Sequence, residues 1–308
     1  MIYTITLNPA LDYFIHADKL VVGGINCNKG EELRAGGKGI NVSAMLHTLG
    51  TESTAIALVA GETGKIIEQA VKALGVKTDF IHLDSGHTRI NVKITATEST
   101  AFNGRGPVID ERIIPTIMER IDPLGSDDLV VIAGSLPSTA PTSLYVDLLH
   151  SIKRSKPSVI IDTAGNLLAD LLPFRPLLIK PNSDELGAYF GTHMQGTEDI
   201  IHHAGVLQRE GARNVLVSRG SEGSILMAED GRVFKGNSPG GTVVNTVGCG
   251  DSMVAGFIAG YLRHCDVAEG YRLSIAASSA KAVCTTAVTA EFVKEMEKKV
   301  TITEVNRC

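Results

Sequence analysis

Short β-branched runs alternate along the chain with longer stretches whose apolar positions recur every three or four residues. The runs that read as strands cover 2–7, 54–60, 128–133, 158–162, 177–180 and 214–218. Helical spacing covers 40–49, 65–74, 111–121, 143–153, 183–190, 199–209, 252–262 and 267–283, with a charged peripheral helix at 291–299. Strands buried on both faces and separated by helices predict an α/β fold built on a parallel sheet.

Two stretches break that rhythm. Residues 12–33 and 89–102 alternate apolar and polar positions, carry turn residues and lack helical spacing, so they predict a small sheet outside the main one. Such a sheet suits a lid, or a pair of edge hairpins. No repeat and no low-complexity linker interrupts the chain, which favours one domain over residues 1–308 with the lid segments inserted in it.

Composition narrows the partners. The 308 residues carry a formal net charge of -5 without a basic block, which argues against nucleic acid or an anionic membrane as partner. An apolar fraction of 44% is ample for a large core, yet no apolar stretch is long enough to span a bilayer. The N-terminus has no signal-peptide pattern, and the five scattered cysteines form no CxxC pair, so a soluble, reducing, cytoplasmic setting is expected.

The densest chemistry lies at Asn245-Thr-Val-Gly-Cys-Gly-Asp251-Ser252. Val243 and Val244 read as the end of a strand, and the following helix puts Asp251 in its first turn. Gly248 and Gly250 leave the amides of the loop, Cys249 included, open to an anion, while Asp251 can take a proton from an acceptor hydroxyl. An isolated acid there is an ordinary helix cap; the paired glycines favour chemistry. Together they point to phosphoryl transfer. Neither GxxxxGK[ST] nor a GxGxxG after a strand occurs, since Gly37-Lys38 is followed by Gly39.

A second cluster, Ala35-Gly-Gly-Lys-Gly-Ile-Asn41, opens the helix at 40–49 and suits a polyhydroxyl ligand: Gly37 permits close approach and Asn41 offers donor and acceptor. Lys38 and Arg89 can clamp a phosphate already on that sugar, or remain solvated surface groups. Asp12 can accept from sugar hydroxyls, or serve as a turn residue. In Lys180-Pro-Asn-Ser-Asp-Glu185, Asn182 or Ser183 can cap a helix and Glu185 can organise Mg2+ through water. Ser218, Gly220 and Gly223 follow the next strand and can approach ATP.

These motifs, in this order, resemble those of the PfkB carbohydrate kinases of the ribokinase-like fold, nearest the bacterial 1-phosphofructokinases and tagatose-6-phosphate kinases. The residues concerned are Thr6-Leu-Asn-Pro-Ala-Leu-Asp12, Gly36-Gly-Lys-Gly-Ile-Asn41, Thr88-Arg-Ile-Asn91, Gly134-Ser-Leu-Pro137, Lys180-Pro-Asn-Ser-Asp-Glu185 and Gly248-Cys-Gly-Asp251. The resemblance implies a three-layer αβα sandwich with a β lid often used in dimerisation. It also implies transfer from MgATP to a phosphorylated ketohexose, fructose 1-phosphate before tagatose 6-phosphate, with a silent sugar-phosphate sensor as the non-enzymatic alternative. By that resemblance Asp251 is the base, the amides of 248–251 form the anion hole, and Asp12, Gly37 and Asn41 contact the sugar. Lys38 and Arg89 address its phosphate, Asn182 and Glu185 the Mg-nucleotide, and Ser218 and Gly220 the ATP. Two positions depart from the family pattern: Cys249, where Ala or Ser is common, and Arg105, where Pro is usual.

Overall fold

A computed structural model of the protein describes residues 1–152, 155–284 and 287–305. Its strands are β1 (Ile2–Thr6), β2 (Ala10–His16), β3 (Gly30–Gly36), β4 (Thr54–Ala60), β5 (Lys77–Leu83), β6 (Arg89–Thr95), β7 (Ser99–Asn103), β8 (Leu129–Ala133), β9 (Ser158–Asp162), β10 (Leu178–Ile179), β11 (Asn214–Ser218), β12 (Ser224–Met227), β13 (Val233–Gly236) and β14 (Ile302–Glu304). The helices are α1 (Lys38–Thr48), α2 (Gly61–Ala73), α3 (Ile114–Ile121), α4 (Leu144–Ile152), α5 (Asn166–Leu171), α6 (Ser183–Phe190), α7 (Thr197–Glu210), α8 (Cys249–His264), α9 (Val267–Val283) and α10 (Ala290–Glu297).

A 10-stranded sheet in the order β14-β13-β12-β11-β10-β9-β8-β1-β4-β5 forms the middle layer. Its strands run parallel from β11 to β5, and β12, β13 and β14 add antiparallel at one edge. Alternation within each strand sends side chains to opposite faces. In β8, Val130 and Ile132 join the core on one side, and Leu129, Val131 and Ala133 join the core on the other. The first core holds Ile117, Leu148 and Leu207 of α3, α4 and α7; the second holds Val42, Phe257 and Tyr271 of α1, α8 and α9.

The chain builds outward from β1 in both directions, through β4 and β5 on one side and through β8, β9, β10 and β11 on the other. The connections diverge between β1 and β8, which opens a crevice at the carboxyl ends of those strands, the usual place for a ligand in such a sheet. A separate 4-stranded sheet, β3-β2-β6-β7, stands beside it, as the two irregular stretches predicted.

Several sequence expectations change. Val243 and Val244 belong to no strand; they sit in an irregular segment, 58% and 52% exposed, tied back by Val244 N–H donating to the carbonyl of Ala282. Pro239-Gly-Gly241 just upstream disfavours extended pairing there. The segment 111–121 divides into a 3-10 turn capped by Asp110 and then α3, because Pro115 cannot donate the bond that would continue one helix through it. Strands β5, β12, β13 and β14 and the short α5 carried no clear pattern in the sequence. Residue 153 of the expected helix 143–153 lies outside the described residues.

Candidate active site

One cavity of about 990 Å³ occupies the crevice, and both sequence clusters open into it. Its floor is the carboxyl edge of the sheet, with Asp162, Lys180 and Ser218 at the ends of successive strands. The first turns of α1, α6 and α8 converge on it, each bringing the positive end of a helix dipole to its wall.

The loop before α8 turns at Gly248, whose φ of 80° lies in the left-handed region that favours glycine. A Cβ at Gly250 would lie 2.9 Å from Lys180 Nζ, so a side chain there would displace that ammonium group. Gly248 is required by its backbone angle, and Gly250 leaves Lys180 its place beside the loop.

Asp251 is buried and takes a 2.7 Å hydrogen bond from Asn41 Nδ2 on its Oδ2. Burial and the nearby negative charge of Asp162 push its carboxyl up to about 6, against the Asn41 bond and the charges of Lys38 and Lys180. It is thus a stronger base than an ordinary aspartate while still ionised at neutral pH. Asp162 goes the other way. Burial opposes its ionisation, but Lys180 and Lys38 outweigh that and hold it below the usual range.

Cys249 is no reactive thiolate: burial, with a smaller push from Asp251, raises its thiol to about 11 despite Lys281. Its Sγ lies 3.6 Å from the carbonyl of Asn245. Only the main chain of this residue suits the chemistry of the loop.

At the other end, β2 and β6 pair in register so that Asp12 and Asn91 stand side by side. Asn91 Nδ2 donates to Asp12 Oδ1 at 2.8 Å, and Lys93 Nζ to Oδ2 at 3.0 Å. The carboxylate is fixed and buried, yet lines the cavity with lone pairs left for a ligand hydroxyl. Arg89 is held by the turn after β1, donating to the carbonyls of Asn8 at 2.8 Å and Pro9 at 3.3 Å. Burial lowers its pKa, with Asp12 opposing.

Lys38 and Arg89 have different partners in this structure. Lys38 Nζ is bonded to Asp162 Oδ1 at 3.1 Å, and its charge faces Asp162, Glu185 and Asp251, which together outweigh the cost of its burial and raise its pKa. Lys38 is thus paired at the Asp162 side of the cavity, while Arg89 sits beside the turn at Asn8 and Pro9.

At the start of α6, Asn182 and Glu185 form a reciprocal capping box: Asn182 Oδ1 accepts from Glu185 N–H at 2.7 Å and Glu185 Oε2 from Asn182 N–H at 2.9 Å. Both still line the cavity, as do Ser218 and Gly220. Gly223 does not. Its φ of 84° and a prospective Cβ only 2.0 Å from the carbonyl of Gly236 make it a turn residue of the β11-β12 connection. Arg105 is exposed.

Among the described residues no three His, Cys, Asp or Glu side chains cluster as metal ligands. Glu185 alone with water fits a hydrated ion such as Mg2+, which takes few protein ligands. Sequence reasoning passed over Asp162, Lys180, Asn91 and Lys93. The signal for the first two was present: each is a charged residue closing a buried apolar strand at the edge where ligands bind.

Comparison with known proteins agrees with this geometry. The pattern of the pfkB family carbohydrate kinases matches residues 6–294. The 1-phosphofructokinase of Bacillus subtilis is 37% identical over 305 residues, covering 99% of this chain and 100% of that protein. The D-tagatose-1-phosphate kinase of Bacillus licheniformis is 36% identical over 280 residues, covering 91% of each. Phosphofructokinase-2 of Escherichia coli, solved in complex with substrates and products, superposes with a TM-score of 0.90 at 25% identity, covering 96% of this chain and 98% of that one.

Proposed function

The chain belongs to the pfkB family of carbohydrate kinases, and from that premise we propose that it phosphorylates D-fructose 1-phosphate with ATP to give D-fructose 1,6-bisphosphate. The observation that carries the mechanism is the placing of a buried carboxylate, Asp251, in the loop that opens α8, whose Cys249 N–H turns to the Thr246 carbonyl at 3.3 Å, in the cavity that Asp12 and Glu185 also line.

The acceptor hydroxyl, oriented by Asp12 and Asn41, forms its bond to the terminal phosphorus of ATP as the bond to the bridging oxygen breaks. Its proton passes to Asp251 and ADP leaves. Negative charge on the transferred group meets the α8 amides, Lys180 and Lys38, which are in place before the reaction begins. Arg89 is the cation for the phosphate already on the sugar. Asn182, Ser218 and Gly220 line the ATP end. Mg2+ fits beside Glu185 through water and, when bound, neutralises charge on the ATP phosphates.

We read the molecule as one kinase domain whose small sheet is the lid over the sugar. The outward residues Leu33, Ile90 and Phe102 of that sheet are exposed and apolar, which supports a homodimer formed through it. A cytoplasmic setting accords with ATP as donor. No described helix is long and apolar enough to cross a membrane.

The second reading is a tagatose phosphate as acceptor. The relative in that branch is named for the 1-phosphate, so tagatose 1-phosphate joins the 6-phosphate as a candidate. Purified protein given MgATP and a panel of fructose and tagatose phosphates, followed by phosphorus NMR, should yield ADP and fructose 1,6-bisphosphate fastest from fructose 1-phosphate. Preference for a tagatose phosphate would replace the substrate. No ADP with any acceptor would favour the sensor alternative.

A further inference from the structure

The floor of the cavity holds a carboxylate with no part in the proton transfer or in sugar contact. Asp162 ends β9, is 1% exposed, and collects two ammonium groups from separate elements on a single oxygen. Lys38 of α1 reaches Oδ1 at 3.1 Å and Lys180, after β10, reaches it at 3.6 Å. Its other oxygen, Oδ2, is buried and has no hydrogen-bond partner.

The neighbours leave room for this convergence. The strand beside Asp162 presents Ala133 in register and then Gly134, where a Cβ would sit 3.9 Å from Lys38 Cβ. The arm of Lys38 can therefore cross from α1 over β8 to reach β9. On the other side Lys180 Nζ is pressed against Gly250 in the amide loop. The two lysines thus flank the place where the anion loop and Asp251 meet.

Buried ion pairs are weak sources of stability, since well-packed apolar groups of similar volume often serve as well. What an apolar replacement cannot do is keep two neighbouring ammonium groups charged, apart and aimed before the phosphates arrive. We propose that Asp162 is a positioning residue of the phosphoryl-transfer site, which sets Lys38 and Lys180 on either side of the transferred group. The proposal rests on the kinase reading above, and one of its tests does not depend on substrate.

In the full-length protein, Asp162→Asn should lower kcat on the order of 10²-fold. The KM for fructose 1-phosphate should change by less than about 3-fold, because Asp162 acts on the transferred group and not on the bound sugar. In a Lys180→Met background the same substitution should cost under about 3-fold, since one of the groups it positions is gone. Equal losses in both backgrounds, or wild-type turnover in Asp162→Asn, would overturn the proposal. If Asp162→Asn is not recovered folded, Asp162→Glu keeps the charge but misplaces it by one methylene and should lose at least about 5-fold in kcat at unchanged melting temperature; normal turnover counts against us. Pulse acetylation with acetic anhydride, read by mass spectrometry, needs no sugar. Without its counter-charge a half-buried lysine loses its proton more readily, so Lys38 should label at least about 5-fold faster in unliganded Asp162→Asn. Unchanged labelling contradicts the proposal even if the sugar assignment is wrong.

Discussion

At the scale of single residues, the account turns on one carboxyl group whose surroundings favour its protonated form. With Asp251 raised to about 6, the base is ionised above that pH, so kcat/KM should fall about tenfold per pH unit below about 6. An acid limb near 4 in the pH profile would show an unperturbed carboxylate. The same shift bears on stability. A carboxyl with a raised folded-state pKa favours folding at low pH, and that contribution is lost as the pH rises through about 6. Asp251→Asn cannot ionise and should therefore stabilise the unliganded protein at pH 8 by about 1 to 3 kcal/mol; a lower melting temperature than wild type would contradict this. Arg89→Ala should raise KM for phosphorylated acceptors on the order of tenfold or more, and an unchanged acceptor profile would remove Arg89 from the phosphate subsite. Glycine and acidic motifs made Asp251, Asn41, Asp12 and Arg89 legible in the sequence. Asp162 was overlooked although its place at a strand end was visible, because its partners Lys38 and Lys180 lie far from it in the chain or on another element. The place of Lys38 on the cavity was legible, but its pairing with Asp162 was not, since the direction of a lysine arm is set by tertiary contacts.

At the scale of elements, the central strands and nearly all the long helices were visible because each buries apolar residues at its own period. The antiparallel edge was not, since β12, β13 and β14 are short and carry little pattern of their own. The supposed strand at Val243 and Val244 shows the converse: β-branched residues without a partner strand do not make one. The small residues of α8 have a specific cause. A Cβ at Gly256 would lie 2.5 Å from the carbonyl of Leu273, and one at Gly260 would lie 2.6 Å from that of Glu269, so α8 and α9 pack backbone to backbone. Gly256→Ala should destabilise the protein by about 1 to 3 kcal/mol in denaturant unfolding. Because α8 carries Asp251, the same variant should lose activity. A stable, fully active variant would show that the close approach is not required.

At the scale of the whole molecule, the sheet's divergence between β1 and β8 opens the cavity, and the small sheet brings Asp12, Arg89 and Asn91 into its lining. If that sheet also joins two copies, sedimentation should show a dimer. Leu33→Asp with Phe102→Asp should then give a monomer with KM for the sugar phosphate raised on the order of tenfold, as a lid held by its partner loosens; a monomeric wild type would dispose of the lid interface. Helices α1, α6 and α8 and both sheets share one consequence, the convergence of their polar residues on the cavity that Asp251 lines. The direct test is turnover of Asp251→Asn alongside calorimetric binding of ATP and of fructose 1-phosphate. Binding within about 3-fold of wild type and kcat lower by about 10² to 10⁴ is the predicted result, whereas near-normal turnover would contradict the account at its centre.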